Sequence, residues 1–205
     1  MTITSIVRQR GDLFVIEADG EQAALLDLRT LEDADDLAVG FEVSEERMAQ
    51  LQLESDCHRA RSKALKLVSG REMCRVGLIR KLSDAGFSEE ACASAADEME
   101  KLGFIRDERY AEMYAEELYR VKRYAAQRVA YELTQRGIAR DLAQDIASRL
   151  APDAKQTLRE LINDRLAKDM ESESGRRRCY NTLSRYGYTA GDIRSAMREF
   201  AADGQ

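Results

Sequence analysis

Tryptophan is absent from this sequence, and proline and histidine occur once each, as Pro152 and His58. A chain with so few helix breakers, rich in Ala, Leu, Glu, Arg and Lys, is typical of an α-helical protein with a large solvated surface. His58 has no partner at a spacing suited to a metal site or a nucleophilic triad. The sequence also lacks a glycine-rich phosphate loop and any carboxylate pair that requires a catalytic role. We therefore predict a protein that is not an enzyme and needs no metal ion or cofactor.

Long apolar runs are missing too. No window of 18 consecutive apolar residues occurs, so no membrane span is predicted. The first residues, MTITSIVRQRGD, lack the apolar centre of a signal peptide. None of the cysteines forms a CxxC pair, which favours free thiols in a reducing cytoplasm over a disulfide framework. The four cysteines are Cys57, Cys74, Cys92 and Cys179.

The net charge of −6 is unevenly distributed. Residues 1–56 contain 4 basic and 14 acidic side chains, whereas residues 57–205 contain 28 basic and 24 acidic ones. An acidic N-terminal segment before a mildly basic remainder favours a partner that is anionic or that presents both signs of charge. The same composition also suits a helical protein that is charged only for solubility, and both interpretations stay open.

The sequence does contain a repeat. Three times, a leucine is followed four and five residues later by a glycine and a large apolar residue, at offsets of 51 and 50 residues. The triplets are Leu82-Gly86-Phe87, Leu133-Gly137-Ile138 and Leu183-Gly187-Tyr188. Each predicts a helix that ends at a left-handed glycine, followed by a further helix. We therefore predict a mainly α fold: an elongated tandem array of three three-helix repeats with a small N-terminal segment that contains a β-hairpin.

The N-terminal segment, residues 1–56, has a strand-like pattern. Apolar runs at Ile3–Arg8, Leu13–Glu17 and Ala23–Leu28 are separated by glycine-containing turn signals and predict two or three short strands. So few strands are unstable alone in water. We expect them to pack on a helix at Ser44–Leu53, for which Ser44 is the N-cap.

The three repeats are predicted at residues 57–104, 105–152 and 153–205. Residues 107–136 contain neither Gly nor Pro, so the sequence leaves open whether they form one helix or two. The other repeats, in which Gly70 and Gly175 precede the middle helix, favour a break near residues 122–125. The expected helices are Ala60–Ser69, Arg71–Ala85 and Ser88–Leu102, then Glu108–Val121, Ala125–Arg136 and Ala139–Leu150, then Ala154–Met170, Arg176–Tyr186 and Ala190–Ala201.

Basic side chains cluster before or within the middle helix of each repeat, and several occupy matching positions relative to the anchor leucines. Stacked repeats would combine them into a basic band that attracts phosphate backbones without reading sequence. Ordinary solvated arginines are the alternative, and the tyrosines in these helices suit either base stacking or packing. The candidate partner- and DNA-binding residues are Arg71, Arg75, Lys81, Lys122, Arg123, Arg128, Arg136, Arg176, Arg177, Arg178 and Arg185.

The segment Leu102–Ile138 closely resembles the RecX family of recombinase regulators. The matching residues are Gly103-Phe104-Ile105-Arg106-Asp107, Tyr110-Ala111, Arg120, Arg128, Glu132-Leu133 and Arg136-Gly137-Ile138. The likeness extends over about residues 57–202. Two departures stand out: Cys74 lies where the family often has Ser, and Tyr124-Ala125 replaces the glycine usual after the basic pair Lys122-Arg123.

The resemblance implies a cytoplasmic bacterial protein that binds the RecA recombinase in the groove of its filament on DNA. It also implies inhibition of filament assembly, ATP hydrolysis, strand exchange and co-protease activity. We expect a monomer that meets single- and double-stranded DNA weakly or within the filament, and no membrane. Two other functions stay open: a helical protein that binds DNA directly without recombinase, and a helical scaffold without nucleic acid.

Overall fold

A computed structural model describes residues 1–203 and is mainly helical, with a three-stranded antiparallel sheet at the N-terminus. The chain divides into two compact units, Met1–Arg106 and the part that begins at Asp107. The strands are β1 (Ile3–Arg10), β2 (Leu13–Ala18) and β3 (Glu21–Asp27). The α-helices are α1 (Leu28–Asp33), α2 (Glu45–Val68), α3 (Arg75–Ser83), α4 (Glu89–Lys101), α5 (Asp107–Glu117), α6 (Ala126–Gln135), α7 (Arg140–Arg149), α8 (Ala154–Leu161), α9 (Glu173–Arg185) and α10 (Ala190–Asp203).

The predicted strands are confirmed, and they pair in the order β1-β2-β3. The third strand ends at Asp27, because the side chain of Asp27 accepts a hydrogen bond from the Thr30 amide at 3.3 Å and starts the short helix α1. The sequence reading missed this helix. The sheet buries one face, including Ile16 and Leu26, against Met48 and Leu51 of α2.

Helix α2 corrects a second expectation. The predicted helices Ser44–Leu53 and Ala60–Ser69 are one continuous helix of 24 residues, because no glycine or proline interrupts it. Ser44 is its N-cap, as predicted, and accepts from the Arg47 amide at 3.1 Å. The boundary drawn between residues 56 and 57 falls inside this helix, and the division into four segments stays a prediction.

The helix ends predicted from the three triplets are confirmed. Gly86, Gly137 and Gly187 have φ values of 89°, 93° and 92°. The amide of the apolar residue after each glycine donates to the carbonyl of the anchor leucine, at 3.3, 3.2 and 3.3 Å. This is the Schellman arrangement, which satisfies carbonyls that a helix end leaves unpaired. The three anchor leucines, Leu82, Leu133 and Leu183, are completely buried.

Residues 107–136 form two helices, α5 and α6, rather than one. Helix α5 continues into a π-helical turn at Leu118–Lys122, after which Arg123 adopts the left-handed conformation with φ 53°. The amide of Ala125 then donates to the carbonyl of Tyr186 at 2.9 Å. This hydrogen bond to the third repeat therefore stabilises the break between α5 and α6, where the local sequence contains no glycine.

The third repeat begins with α8, a π-helical turn at Ile162–Leu166 and a 3-10 turn at Ala167–Glu171. Contrary to the expectation, Gly175 does not lie in the break before the middle helix of this repeat, because it lies inside α9. A Cβ at Gly175 would overlap the backbone carbonyl of Asp169, so glycine permits a close approach to the preceding turn. Within residues 1–203, no helix has the length and apolarity needed to cross a membrane.

Candidate functional site

Three of the predicted basic residues lie in the first unit. Arg71 is exposed in the loop before α3. Arg75, the first residue of α3, forms ion pairs with Asp97 at 2.6 Å and Glu100 at 3.2 Å, both on α4. Lys81 is half-buried in the last turn of α3. Arg75 therefore ties two helices of the first repeat together, whereas Arg71 presents its charge to solvent.

The other eight predicted residues lie in the second unit, and Arg123 there bridges the second and third repeats. Its guanidinium forms an ion pair with Asp164 at 2.8 Å. Its backbone carbonyl accepts a hydrogen bond from the Tyr188 hydroxyl at 3.0 Å. Arg178 similarly pairs with Asp169 at 2.8 Å, across the turn that precedes α9. These two arginines therefore position elements within the fold.

Arg128 is the centre of an arginine–tyrosine ladder, by which we mean Tyr124, Arg128 and Tyr131. Its guanidinium carbon lies 5.6 Å from the ring centroid of Tyr124 and 5.1 Å from that of Tyr131, within the range of cation–π attraction. A terminal nitrogen of Arg128 pairs with Glu132 at 2.6 Å. Tyr124 in turn meets Tyr186 edge to face at 5.2 Å between centroids. The ladder fixes the start of α6 against the end of α9.

Arg136, Arg176 and Arg185 also have partners within the second unit. Arg136 lies 4.6 Å from the ring centroid of Tyr114 and donates to its hydroxyl at 3.2 Å. Arg176 donates to the backbone carbonyl of Met170 at 3.3 Å. Arg185 makes a longer hydrogen bond to Thr182, at 3.4 Å, within its own helix.

The exposed members of the predicted band in the second unit are Lys122, Arg136, Arg176, Arg177, Arg178 and Arg185. Lys122 and Arg177 differ from the other four in their contacts. Across residues 1–203, no ion pair or hydrogen bond engages either side chain. The same holds for Arg71 in the first unit, the residue that the repeat alignment matches to Lys122. These three side chains are therefore available to a partner. Internal contacts are made instead by Arg75, Arg123, Arg128, Arg136, Arg176, Arg178 and Arg185. Arg120, in the π-helical turn, is also exposed but is not among the predicted binding residues. Its place in the family motif, two residues before Lys122, was a signal that could have identified it.

Two buried tyrosines form hydrogen bonds within the second unit, and that of Tyr188 joins the third repeat to the second. The Tyr119 hydroxyl donates to the carbonyl of Ala147 at 2.5 Å, and the Tyr188 hydroxyl donates to that of Arg123. Burial raises the pKa of each phenol from an ordinary value of 10.0 to about 12. Both phenols are therefore neutral hydrogen-bond donors at neutral pH, well below their folded pKa values.

A surface groove of about 700 Å³ runs between α6 and α7. Small side chains, including Ala130 and Ala147, line its base. The groove carries no carboxylate among its lining residues. Its polar and aromatic lining residues are Gln127, Tyr131, Thr134, Gln135, Arg140, Gln144 and Ser148.

Nothing in the described part of the chain brings three or more His, Cys, Asp or Glu side chains together as a metal site. The single histidine has local partners instead. Its Nδ1 lies 3.2 Å from the Thr30 hydroxyl and 3.6 Å from a carboxylate oxygen of Asp27. His58 thus joins α2 to the start of α1.

Comparison with known proteins places these features in a family. A family model described as "RecX, second three-helix domain" matches residues 107–145. The chain is 28% identical, over 93% of both sequences, to the regulatory protein RecX of Caldanaerobacter subterraneus subsp. tengcongensis. It is 29% identical to that of Trichlorobacter lovleyi, over 71% of this chain and 96% of the relative. The family model and both relatives support the RecX family for this chain.

Solved structures agree with this assignment at the level of the fold. The crystal structure of a regulatory protein RecX superposes with a TM-score of 0.67 at 17% identity, over 97% of this chain and 98% of the other. The structure of RecX from Lactobacillus salivarius gives a TM-score of 0.62 at 18% identity, over 72% and 97% of the two chains. The segment matched by the RecX family model contains Lys122, Arg123, Arg128 and Arg136 of the predicted band.

Proposed function

We propose that this protein regulates the RecA recombinase by binding in the groove of the RecA–DNA filament. In that position it limits filament assembly, ATP hydrolysis, strand exchange and co-protease activity. The observation that carries the proposal is the relationship, over 93% of both chains, to a protein named regulatory protein RecX. We further propose that the protein acts by binding rather than by catalysis, as a cytoplasmic monomer.

The repeated architecture supports this mode of action. A filament presents equivalent binding surfaces at a fixed spacing, so several modules that bind weakly gain affinity by binding together. The three Schellman helix ends give the chain equivalent building blocks for such contacts. A single small module of this size has a marginal core and a limited surface of its own.

Within the proposed basic band, the contacts to DNA or to acidic recombinase surface fall to the exposed side chains without an internal partner. These are Lys122 and Arg177 in the second unit and Arg71 in the first. Arg123, Arg128 and Arg178 contribute by holding the repeats in place, since their charges are already paired.

The test measures inhibition of RecA ATP hydrolysis on single-stranded DNA. Replacement of Lys122 and Arg177 by Gln is expected to shift the inhibition curve to about tenfold higher protein concentration, with a weaker dependence on salt. The matched control replaces two exposed arginines of α10, Arg194 and Arg198, by Gln, which changes the net charge equally. Equal inhibition by both double variants would reject the basic-band mechanism, and no inhibition by the unmodified protein would reject the proposed function.

A direct DNA-binding function is the second candidate, because a three-helix unit can present a helix to a DNA groove. It requires tight binding to bare duplex without recombinase. A titration against labelled duplex at physiological salt separates the two functions, because binding in the micromolar range or weaker disfavours the direct binder.

A further inference from the structure

The groove between α6 and α7 differs chemically from two other grooves on the surface. A groove along α4 in the first unit is lined by Glu90, Asp97 and Glu98. A groove in the second unit, beside the π-helical turn, contains Glu116 and Glu160 together with Arg120 and Arg123. The α6–α7 groove has no carboxylate in its lining and contains Arg140. In a chain of net charge −6, it therefore offers an anionic ligand a surface without direct repulsion.

Side-chain amides supply the hydrogen-bonding groups of this groove. Gln127, Gln135 and Gln144 all reach its lining. Within residues 1–203, no protein group hydrogen-bonds to these three side-chain amides. A side-chain amide offers one acceptor and two donors, which is the pattern that pairs with the edge of a nucleobase. Thr134 differs, because its hydroxyl already donates to the Ala130 carbonyl at 2.9 Å.

An aromatic ring stands at the wall of the same groove. Tyr131 is 52% exposed, although its ring is large and apolar. The Arg128 guanidinium lies against it and is itself held by Glu132 and Tyr124. The ring is therefore oriented before any ligand arrives, which lowers the ordering cost of binding. The alanines at the base of the groove leave space for a flat ligand beside it.

We infer that the α6–α7 groove is a binding site for single-stranded DNA, in which a base stacks on Tyr131. The neighbouring glutamine amides bond to the base edges, and Arg140 binds a backbone phosphate. A role in stacking accounts for the exposed ring of Tyr131, and pairing with base edges accounts for the uncharged polar lining. Because the lining contains no carboxylate, a phosphate can approach without direct repulsion. No residue that lines this groove belongs to the predicted basic band, although Arg128 of that band packs on Tyr131. The inference rests on the proposed function only in naming the RecA filament as the place where the protein meets the strand.

The experiment titrates the full-length protein into a short fluorescently labelled oligothymidine without recombinase, at several salt concentrations. Tyr131→Ala is expected to weaken binding about 10-fold with little change in salt dependence, because a stacked base contributes about 1–3 kcal/mol. Tyr131→Phe retains the ring and is expected to bind as the unmodified protein does. Arg140→Gln is expected to reduce the slope of log affinity against log salt by about 0.7, the contribution of one phosphate contact to a single strand.

The matched control is Phe104→Ala, which removes an exposed aromatic ring outside the groove. Equal affinity of Tyr131→Ala and Phe104→Ala would overturn the assignment, as would equal losses in Tyr131→Ala and Tyr131→Phe. Photo-crosslinking of a bromodeoxyuridine oligonucleotide to Tyr131 would support it, and crosslinks confined to other regions would overturn it.

Inhibition of RecA ATP hydrolysis, measured on the same variants, separates this inference from the proposed function. If Tyr131→Ala binds the oligonucleotide normally and still inhibits RecA fully, the groove is not the DNA-binding site. The proposed function then stands. If the unmodified protein does not inhibit RecA but Tyr131→Ala loses oligonucleotide binding, the groove site is supported. The proposed function is then rejected.

Discussion

Gly187 packs directly on the backbone of Arg128. A Cβ added to Gly187 would lie 2.7 Å from the Arg128 Cβ and 3.0 Å from its backbone nitrogen, closer than real Cβ atoms normally approach. The glycine that ends α9 therefore has two functions: it adopts a left-handed conformation with φ 92°, and it admits the first turn of α6 from the second repeat. The equivalent Gly86 of the first repeat has only the first function, because nothing lies within 4 Å of its Cβ position.

This difference predicts unequal effects of the same substitution. Gly86→Ala is expected to lower the free energy of unfolding by about 1 kcal/mol, the cost of placing alanine in the left-handed region. Gly187→Ala has the same conformational cost plus an overlap with backbone and is expected to lose about 3 kcal/mol or more. Urea unfolding of both variants, followed by circular dichroism, measures the difference. Equal losses would show that the contact between Gly187 and Arg128 is not close in solution.

Two positive charges of the second repeat are expected to contribute differently to stability. Arg128→Ala removes the centre of the arginine–tyrosine ladder and the Glu132 ion pair, and about 1–2 kcal/mol of unfolding free energy is expected to be lost. Lys122→Ala removes an exposed side chain and is expected to change stability by less than about 0.5 kcal/mol. Thermal unfolding of the two variants in parallel tests this, and an equal shift in Tm would contradict the structural assignment of Arg128.

Cys74 is the N-cap of α3, and its sulfur accepts from the Gly77 amide at 3.4 Å. A thiol is a weak acceptor, whereas serine is among the preferred caps. Cys74→Ser is therefore expected to stabilise the protein by about 0.5 kcal/mol, and Cys74→Ala to destabilise it by about 1 kcal/mol. Chemical denaturation of both variants provides the measurement. A serine variant no more stable than the alanine variant would show that the cap contributes nothing.

Alkaline pH is expected to destabilise the second unit. Burial raises the pKa of Cys179 from 9.0 to about 11, and those of Tyr119 and Tyr188 to about 12. Because the folded state prefers the neutral forms, their stabilising contribution is complete below the unfolded pKa values and is lost as pH rises through the folded ones. Each group contributes about 2–3 kcal/mol to this loss once its folded pKa is passed.

Urea unfolding at about pH 8 and about pH 11 measures the part of this loss reached by pH 11, which is most of it for Cys179 and about half of it for each tyrosine. Tyr119→Phe removes one of the titrating groups and is expected to flatten the pH dependence. An unchanged pH dependence in Tyr119→Phe would refute this explanation.

The features that the sequence predicted correctly are local ones. A leucine, a glycine and an apolar residue within six positions determine a Schellman end, so the sequence alone predicts all three of these helix ends. The break before α6 depends instead on Tyr186, whose carbonyl accepts from Ala125, 61 positions earlier in the chain. Sequence periodicity carries no signal for such a contact. The result is a helix boundary that only the tertiary structure determines.

The candidate basic residues show the same limit. Their positions in the repeats were visible, but their partners were not, since Arg123 pairs with Asp164, 41 positions away, and Arg75 pairs with residues on another helix. Charge patterning cannot distinguish an arginine that stabilises the fold from one that faces solvent. The groove that contains Tyr131 was likewise unpredictable, because it is formed by side chains from two helices.

The continuity of α2 determines how the N-terminal sheet can be studied. A chain shortened to begin at residue 57 would start in the middle of a hydrogen-bonded helix and lose the Ser44 cap, so its first repeat would be weakened together with the removal of the sheet. A chain that begins at Ser44 keeps the whole helix and exposes only the face that carried the sheet, including Met48 and Leu51. Replacing those two residues with polar ones in the shortened chain would isolate the contribution of the acidic segment to the proposed recombinase binding, while the first repeat stays folded.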